Sequence, residues 1–307
     1  MTPLTGPALV GSSLGLWSAW ERPDIAVSLV ALGVPFTLVE RWRPLRRQCS
    51  TIRRPGAMTD AVSFVVNEVL AAFGLVVVLA MAVPLLRLGI PPAVRETTAA
   101  LPGWSRWLLA FVVSEVCGYW GHRLSHEIPA LWSLHRVHHS ASTLDWLAPS
   151  RRHPLDAVVA RTSTALPVLV LGLGVPTVMT WFALKRLQGL IVHANVDVRL
   201  GALKGVIATP FFHHWHHSDE PGTWNTNYAG SIPAVDWLFG TLYLPDRWPA
   251  AYGCDGDVPD KGYLARCLSP WRDPGSRMSA SWTFLDRSQD IAGQTLDIAT
   301  RDPRDIA

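Results

Sequence analysis

The sequence predicts an all-α integral membrane bundle, with about four to five embedded helices and a cytoplasmic histidine-rich catalytic cap. Three observations carry this. Apolar runs at or near spanning length recur through the first two thirds of the chain. Arginines cluster in the connections that share one side of those runs. All 11 histidines fall between His122 and His217, most of them at repeated spacings. Composition agrees: 49% of residues are hydrophobic and only 17% charged, and a polar C-terminal stretch holds the mean hydropathy down to +0.19. A net charge of +3, scattered over loops, leaves no nucleic-acid footprint.

Residues 7–20 carry neither a basic leader nor a cleavage site and are too short to span, so they read as an interfacial piece. A first span follows over residues 24–39. Arg41, Arg43, Arg46, Arg47, Arg53 and Arg54 come next and mark the cytoplasmic side. Residues 61–86 form the clearest span. Glu68 lies within it, and an ionisable group there is expected to face the protein or sit near an end. Residues 87–103 read as a Pro-rich connection on the far side.

Residues 104–120 return, with Trp104 and Trp107 as interface anchors, and Arg123, Arg136, Arg151 and Arg152 place their end on the cytoplasmic face. Residues 157–173 and 177–192 read as a helical hairpin, with Pro176 suited to the first turn of the second arm. From about residue 250 the chain turns polar. Residues 252–271 are expected to fold back on the catalytic face, and the chain from Asp273 to be disordered. This divides the chain into a membrane segment and basic loop (1–59), a catalytic membrane domain (60–250) and a polar tail (251–307). Cys49, Cys117, Cys254 and Cys267 show no paired spacing, so free thiols in a reducing compartment are expected.

The histidines carry the chemistry. His122 and His126 form H-x-x-x-H; His135, His138 and His139 form H-x-x-H-H; His213, His216 and His217 repeat it, with His214 in addition. On a helix, i,i+3 and i,i+4 neighbours share a face, so each box can present its imidazoles together. Neutral imidazole is the commonest protein ligand for transition metals. So many exceed what one four-coordinate ion can use, which points to two ions. His153 and His193 stand alone between the boxes.

These three boxes in this order resemble the fatty acid hydroxylase and sterol desaturase superfamily of membrane-bound histidine-box di-iron oxygenases. The resemblance runs from about Asp60 to Trp271. It includes Arg152-His153-Pro154, the lone His193, and the stretch from His216 to Tyr243 with Asn227-Tyr228, Gly230, Asp236 and Phe239-Gly240-Thr241, which is similar to the bacterial branch. The resemblance implies iron ligands at His122, His126, His135, His138, His139, His193, His213, His216 and His217. His153 is a ligand or a supporting group, and His214 turns away as a hydrogen-bond partner. Ligating histidines need partners on their other ring nitrogen, and Asp145, Asp156, Asn195, Asn227 and Asp236 are among the candidates.

By resemblance the protein uses two iron ions and O₂ to hydroxylate or desaturate a membrane lipid, sterol or isoprenoid. Zinc can replace iron on purification. Electrons are expected from a separate ferredoxin- or haem-carrier-type donor, since no dinucleotide fingerprint or fused carrier motif is visible. The bacterial inner membrane, with the site facing the cytoplasm, is the expected location. Two other readings remain: a membrane zinc hydrolase, opposed by the lack of H-E-x-x-H, and a metal-binding or transport protein, opposed by boxes at helix ends rather than mid-span.

Overall fold

The longest apolar run becomes the longest helix. In the computed structural model, which describes residues 24–47 and 53–272, the described chain is helical and contains no strand. Pairing is limited to two bridges, Pro44 with Val196 and Ser218 with Tyr252. The helices are α1 (Asp24–Trp42), α2 (Ala57–Leu88), α3 (Pro92–Ala100), α4 (Gly103–Glu127), α5 (Pro129–His139), α6 (Pro154–Val170), α7 (Val175–His193), α8 (Pro210–His216), α9 (Ala234–Leu238) and α10 (Tyr263–Arg272). The interfacial piece over residues 7–20, Cys49 and the tail from Asp273 lie outside the described residues.

Among the described residues, α2 alone is long and apolar enough to cross a membrane, and only 11% of its most apolar stretch is buried. Val69, Phe73, Met81 and Leu85 all point outward. Contiguous exposed apolar surface of this kind calls for a non-aqueous partner. The other helices expected to be embedded fall short of the same test. Helix α6 has 17 residues, α4 and α7 are interrupted by charged side chains such as Glu115 and Lys185, and α1 ends in the charged pair Glu40-Arg41.

Helix α6 packs between α2 and α4. Small residues set how closely they approach: a Cβ at Gly74 would meet Val158 at 2.6 Å, and one at Gly121 would meet Ser163 at 2.4 Å. The second contact fixes α4 one residue from the first histidine box. Residues 87–103, expected as a connection, contain α3. Pro92 opens that helix, where its missing N–H costs nothing, and Thr98 Oγ1 donates to Leu171 O (2.6 Å), docking it under the α6–α7 turn.

Loops and short helices cover the histidine end of the bundle. Glu40 of α1 accepts from the backbone N–H groups of Trp146 (2.8 Å) and Asn195 (2.9 Å), tying two of those loops to one helix end. Arg54 bridges Asp60 (2.6 Å) and Asp145. Helix α10 folds back onto α5 and α2, where Arg266 pairs with Asp60 and the Tyr263 hydroxyl donates to Asn67 (2.7 Å).

Candidate metal centre

A proline break brings the first two boxes face to face. Pro129 bars Ile128 from helical geometry, so α4 stops one residue after His126 and the chain re-enters as α5 at a new angle. Pro210 likewise opens α8, a fully buried seven-residue helix that carries His213, His214 and His216, with His217 at its C-cap. His193 arrives at the last residue of α7.

The structure gathers nine histidines into two clusters. His122, His126, His135, His139 and His216 form one, and His138, His193, His213 and His217 the other; within each, one nitrogen per residue lies within 4.8 Å of all the others. Each H-x-x-H-H box is divided between them. Helix α5 gives its i,i+4 pair His135 and His139 to the first cluster and His138 to the second. The third box does the reverse, giving His213 and His217 to the second and His216 to the first.

The ring orientations are fixed by acceptors. His122 Nδ1 donates to Tyr228 O (2.8 Å), His135 Nδ1 to Asp156 (2.9 Å), His138 Nδ1 to Arg151 O (3.3 Å), His193 Nδ1 to Gly189 O (2.7 Å) and His216 Nδ1 to Thr226 O (2.7 Å). Carbonyl and carboxylate oxygens only accept, so the proton sits on Nδ1 and Nε2 presents a bare lone pair. Yet His122 and His135 meet Nε2 to Nε2 at 3.1 Å, and His138 and His193 at 3.2 Å. The Nε2 atoms of His139 and His216 are buried with no hydrogen-bond partner.

Facing lone pairs at such distances repel unless a cation lies between them. A proton is a poor candidate, because burial, followed by neighbouring charges, holds His138, His139, His213, His216 and His217 well below the ordinary imidazole value. A donor set of neutral nitrogens fits divalent transition metals.

The remaining candidates lie around this core. His153 caps α6: its Nδ1 accepts from Leu155 N (3.1 Å) and its Nε2 donates to Cys267 O (3.2 Å), so both nitrogens are engaged outside the clusters. His214 is fully buried outside both clusters and pairs with the Tyr252 hydroxyl (2.7 Å). Asp236 accepts from Tyr228 N (2.7 Å) and Ala229 N (2.8 Å), fixing the carbonyl that His122 uses; burial raises its carboxyl to about 6.

Asn227, in left-handed geometry (φ 57), donates to Phe212 O (3.0 Å) and holds α8 against Tyr243. Asp145 accepts from Arg54 and starts the turn at Leu147 and Ala148, while Asn195 brackets Arg46. Asp145 hydrogen-bonds no clustered histidine. Among the supporting carboxylates it is Asp156 that bonds one, with Arg152 on its other oxygen (2.8 Å). The carbonyl acceptors of Tyr228, Thr226, Arg151 and Gly189 escaped the sequence reading, since a backbone oxygen leaves no residue-type signal.

A cavity of about 450 Å³ opens beside both clusters, reached by His122 and His135 from the first and His138, His193 and His213 from the second. Its far walls come from α2, α4, α6 and α7, with Phe64, Met179 and Phe182 among the apolar lining.

Residues 107–241 match the family model described as fatty acid hydroxylase. The chain is 34% identical over 171 residues to the ornithine lipid hydroxylase OlsE of Rhizobium tropici, covering 55% of this chain and 51% of that protein. It is 30% identical to the alkylglycerol monooxygenase of Homo sapiens (44% of this chain, 30% of that protein). It is 26% identical to methylsterol monooxygenase 2-2 of Arabidopsis thaliana (46% and 55%). The matched stretches thus span about half or less of these relatives. No solved structure matches the chain.

Proposed function

Because the chain carries a fatty acid hydroxylase domain over residues 107–241, we propose that it hydroxylates a C–H bond of a membrane lipid, consuming O₂ and two electrons from a separate donor protein. The overall change is R–H + O₂ + 2e⁻ + 2H⁺ → R–OH + H₂O. The observation that carries this reading is the pair of buried, oppositely supplied histidine clusters whose bare Nε2 atoms border an apolar-walled cavity. The similarity to an ornithine lipid hydroxylase, an alkylglycerol monooxygenase and a methylsterol monooxygenase supports hydroxylation over desaturation.

The nine clustered histidines would hold two irons, which supply the oxygen-activating chemistry when bound. The protein's part is orientation and exclusion of water. Asp156 and the Tyr228, Thr226, Arg151 and Gly189 carbonyls lock the imidazoles, and a ligating ring so held is a better donor. Phe64, Met179 and Phe182 give a substrate chain an apolar path beside His122 and His193. An apolar substrate reaches such a cavity from the bilayer, so we place α2 across the membrane, with α1, α4, α6 and α7 embedded beside it. The arginine-rich connections then face the cytoplasm of a bacterial cell, where the electron donor docks. Residues 60–250 constitute the catalytic membrane domain.

Incubating membranes containing the protein with ¹⁸O₂, an electron source and lipid extract tests the reaction. A lipid product gaining one labelled oxygen supports it. An unlabelled product lacking two hydrogens overturns hydroxylation in favour of desaturation, and turnover without O₂ overturns the oxygenase reading altogether. Carbonate washing should leave the protein in the membrane pellet, and release by carbonate would contradict the embedding.

A further inference from the structure

We propose that the cavity holds an anion subsite, built from Arg161 and Arg186 over a shared Glu68, that binds the carboxylate or phosphate of an acyl-chain substrate. Among the described residues lining the cavity, four cations meet three carboxylates. Two of the cations are individually matched. Arg152 pairs with Asp156 (2.8 Å), and Lys185 pairs with Glu115, which also accepts from Ser231 N (3.2 Å). The third carboxylate, Glu68, serves two guanidiniums: Arg161 on Oε2 (2.7 Å) and Arg186 on Oε1. Arg186 also lies over the Phe64 ring at 4.1 Å. One positive charge is therefore left over, and it is localised at this pair.

Placement argues for use. Glu68 lies inside the membrane-spanning helix α2, and Arg161 and Arg186 lie mid-helix on α6 and α7. Charges so far from water are costly and mark substrate pathways when they persist. A guanidinium presents a planar fork suited to a two-oxygen anion, and two forks around one carboxylate leave donors for a second. Arg161 and Arg186 keep 21% and 30% of their side-chain surface open while lining the cavity.

The register gives the subsite a consequence. Arg186 stands seven residues before His193 on α7, and Arg161 five after Asp156 on α6, which at 1.5 Å per residue is about 7–11 Å from the histidine layer. An anion held there presents carbons near its own head, rather than the far end of the chain, to the clusters. This deepens the lipid hydroxylase reading and rests on it for the word substrate, but the subsite is tested by binding alone.

The test is titration calorimetry of the full chain in uncharged maltoside micelles at about pH 8, where carboxylates are ionised. Laurate, dodecyl phosphate and dodecanol serve as probes of equal chain length, with protein-free micelles as the reference. Wild type should bind at least one anion about tenfold more tightly than dodecanol, the scale of one charge-assisted hydrogen bond. Laurate alone would identify a carboxylate site and dodecyl phosphate alone a phosphate site. Arg161→Gln and Arg186→Gln should each erase most of the preference, whereas Glu68→Gln, which frees both guanidiniums, should raise it. Arg186→Lys keeps the cation and should keep much of the preference, separating loss of charge from loss of fold. Equal binding of all three probes by wild type, or a preference untouched by both Arg→Gln variants, would overturn the subsite. Neither result depends on metal or O₂, so neither speaks against the oxygenase itself.

Discussion

His139 and His217 close two separate H-x-x-H-H boxes in the same sequence position, yet they belong to different clusters, and their rings stack at 4.3 Å with a 20° tilt. The stack is the seam between the two sites. Because each box supplies both clusters, neither cluster can form from one box, and assembly of the pair requires α5 and α8 to dock.

Separate substitutions at that seam should separate the two sites. His139→Ala removes a nitrogen from the first cluster and His217→Ala one from the second, so under chelator competition each should lose about half the bound metal. Elemental analysis of purified protein reads this directly. A variant that empties both clusters, or neither, would contradict the division.

His214 and His216 offer a contrast within one helix. His216→Ala removes a bare Nε2 from the first cluster and should abolish the proposed hydroxylation. His214→Ala removes the contact with the Tyr252 hydroxyl and a buried ring packed against Trp248, both outside the clusters, and should lower stability by about 1–3 kcal/mol while leaving bound metal intact. Metal content and thermal unfolding measured side by side decide it, and equal metal loss in the two variants would refute the register.

Acid should weaken the protein from the clusters outward. Burial holds His138, His139, His213, His216 and His217 neutral in the folded state, with proton affinities well below normal. Above the ordinary imidazole value near 6.5, folded and unfolded chains bind the same protons at these sites and there is no penalty. As pH falls through about 6.5, the unfolded chain takes up protons that the folded clusters refuse, so stability drops toward pH 5. Bound metal, which needs the same neutral nitrogens, should leave over the same range. Unfolding midpoints of chelated and metal-loaded protein from about pH 8 to 5 check both; a flat profile would count against burial as the cause.

Gly121 should tolerate little. A Cβ there would lie 2.4 Å from Ser163, whose helix is pinned on its other side by α2. Gly121→Val should therefore cost about 1–3 kcal/mol as overpacking and shift the neighbouring His122, lowering metal occupancy as well. Gly103, with nothing within 4 Å of its added Cβ, is the control: Gly103→Ala should leave both quantities unchanged.

Much of this was legible in the sequence because it depends on local rules. Apolar runs and i,i+4 spacing mark α2 and the boxes without reference to anything distant. What spacing could not assign was the partner of each imidazole. His135, His138 and His139 share one helix face, yet which of them meets His122 and which meets His193 depends on the angle at which α4, α7 and α8 arrive. That angle is set by Pro129 and by contacts such as Gly121 against Ser163, between residues far apart in the chain. The same holds for Glu68. The sequence showed a carboxylate inside an apolar span, but only tertiary packing brought Arg161 and Arg186 to it, 93 and 118 residues away. Periodicity describes a helix and its faces; the meeting of faces is a property of the packed bundle, where volume and close approach decide.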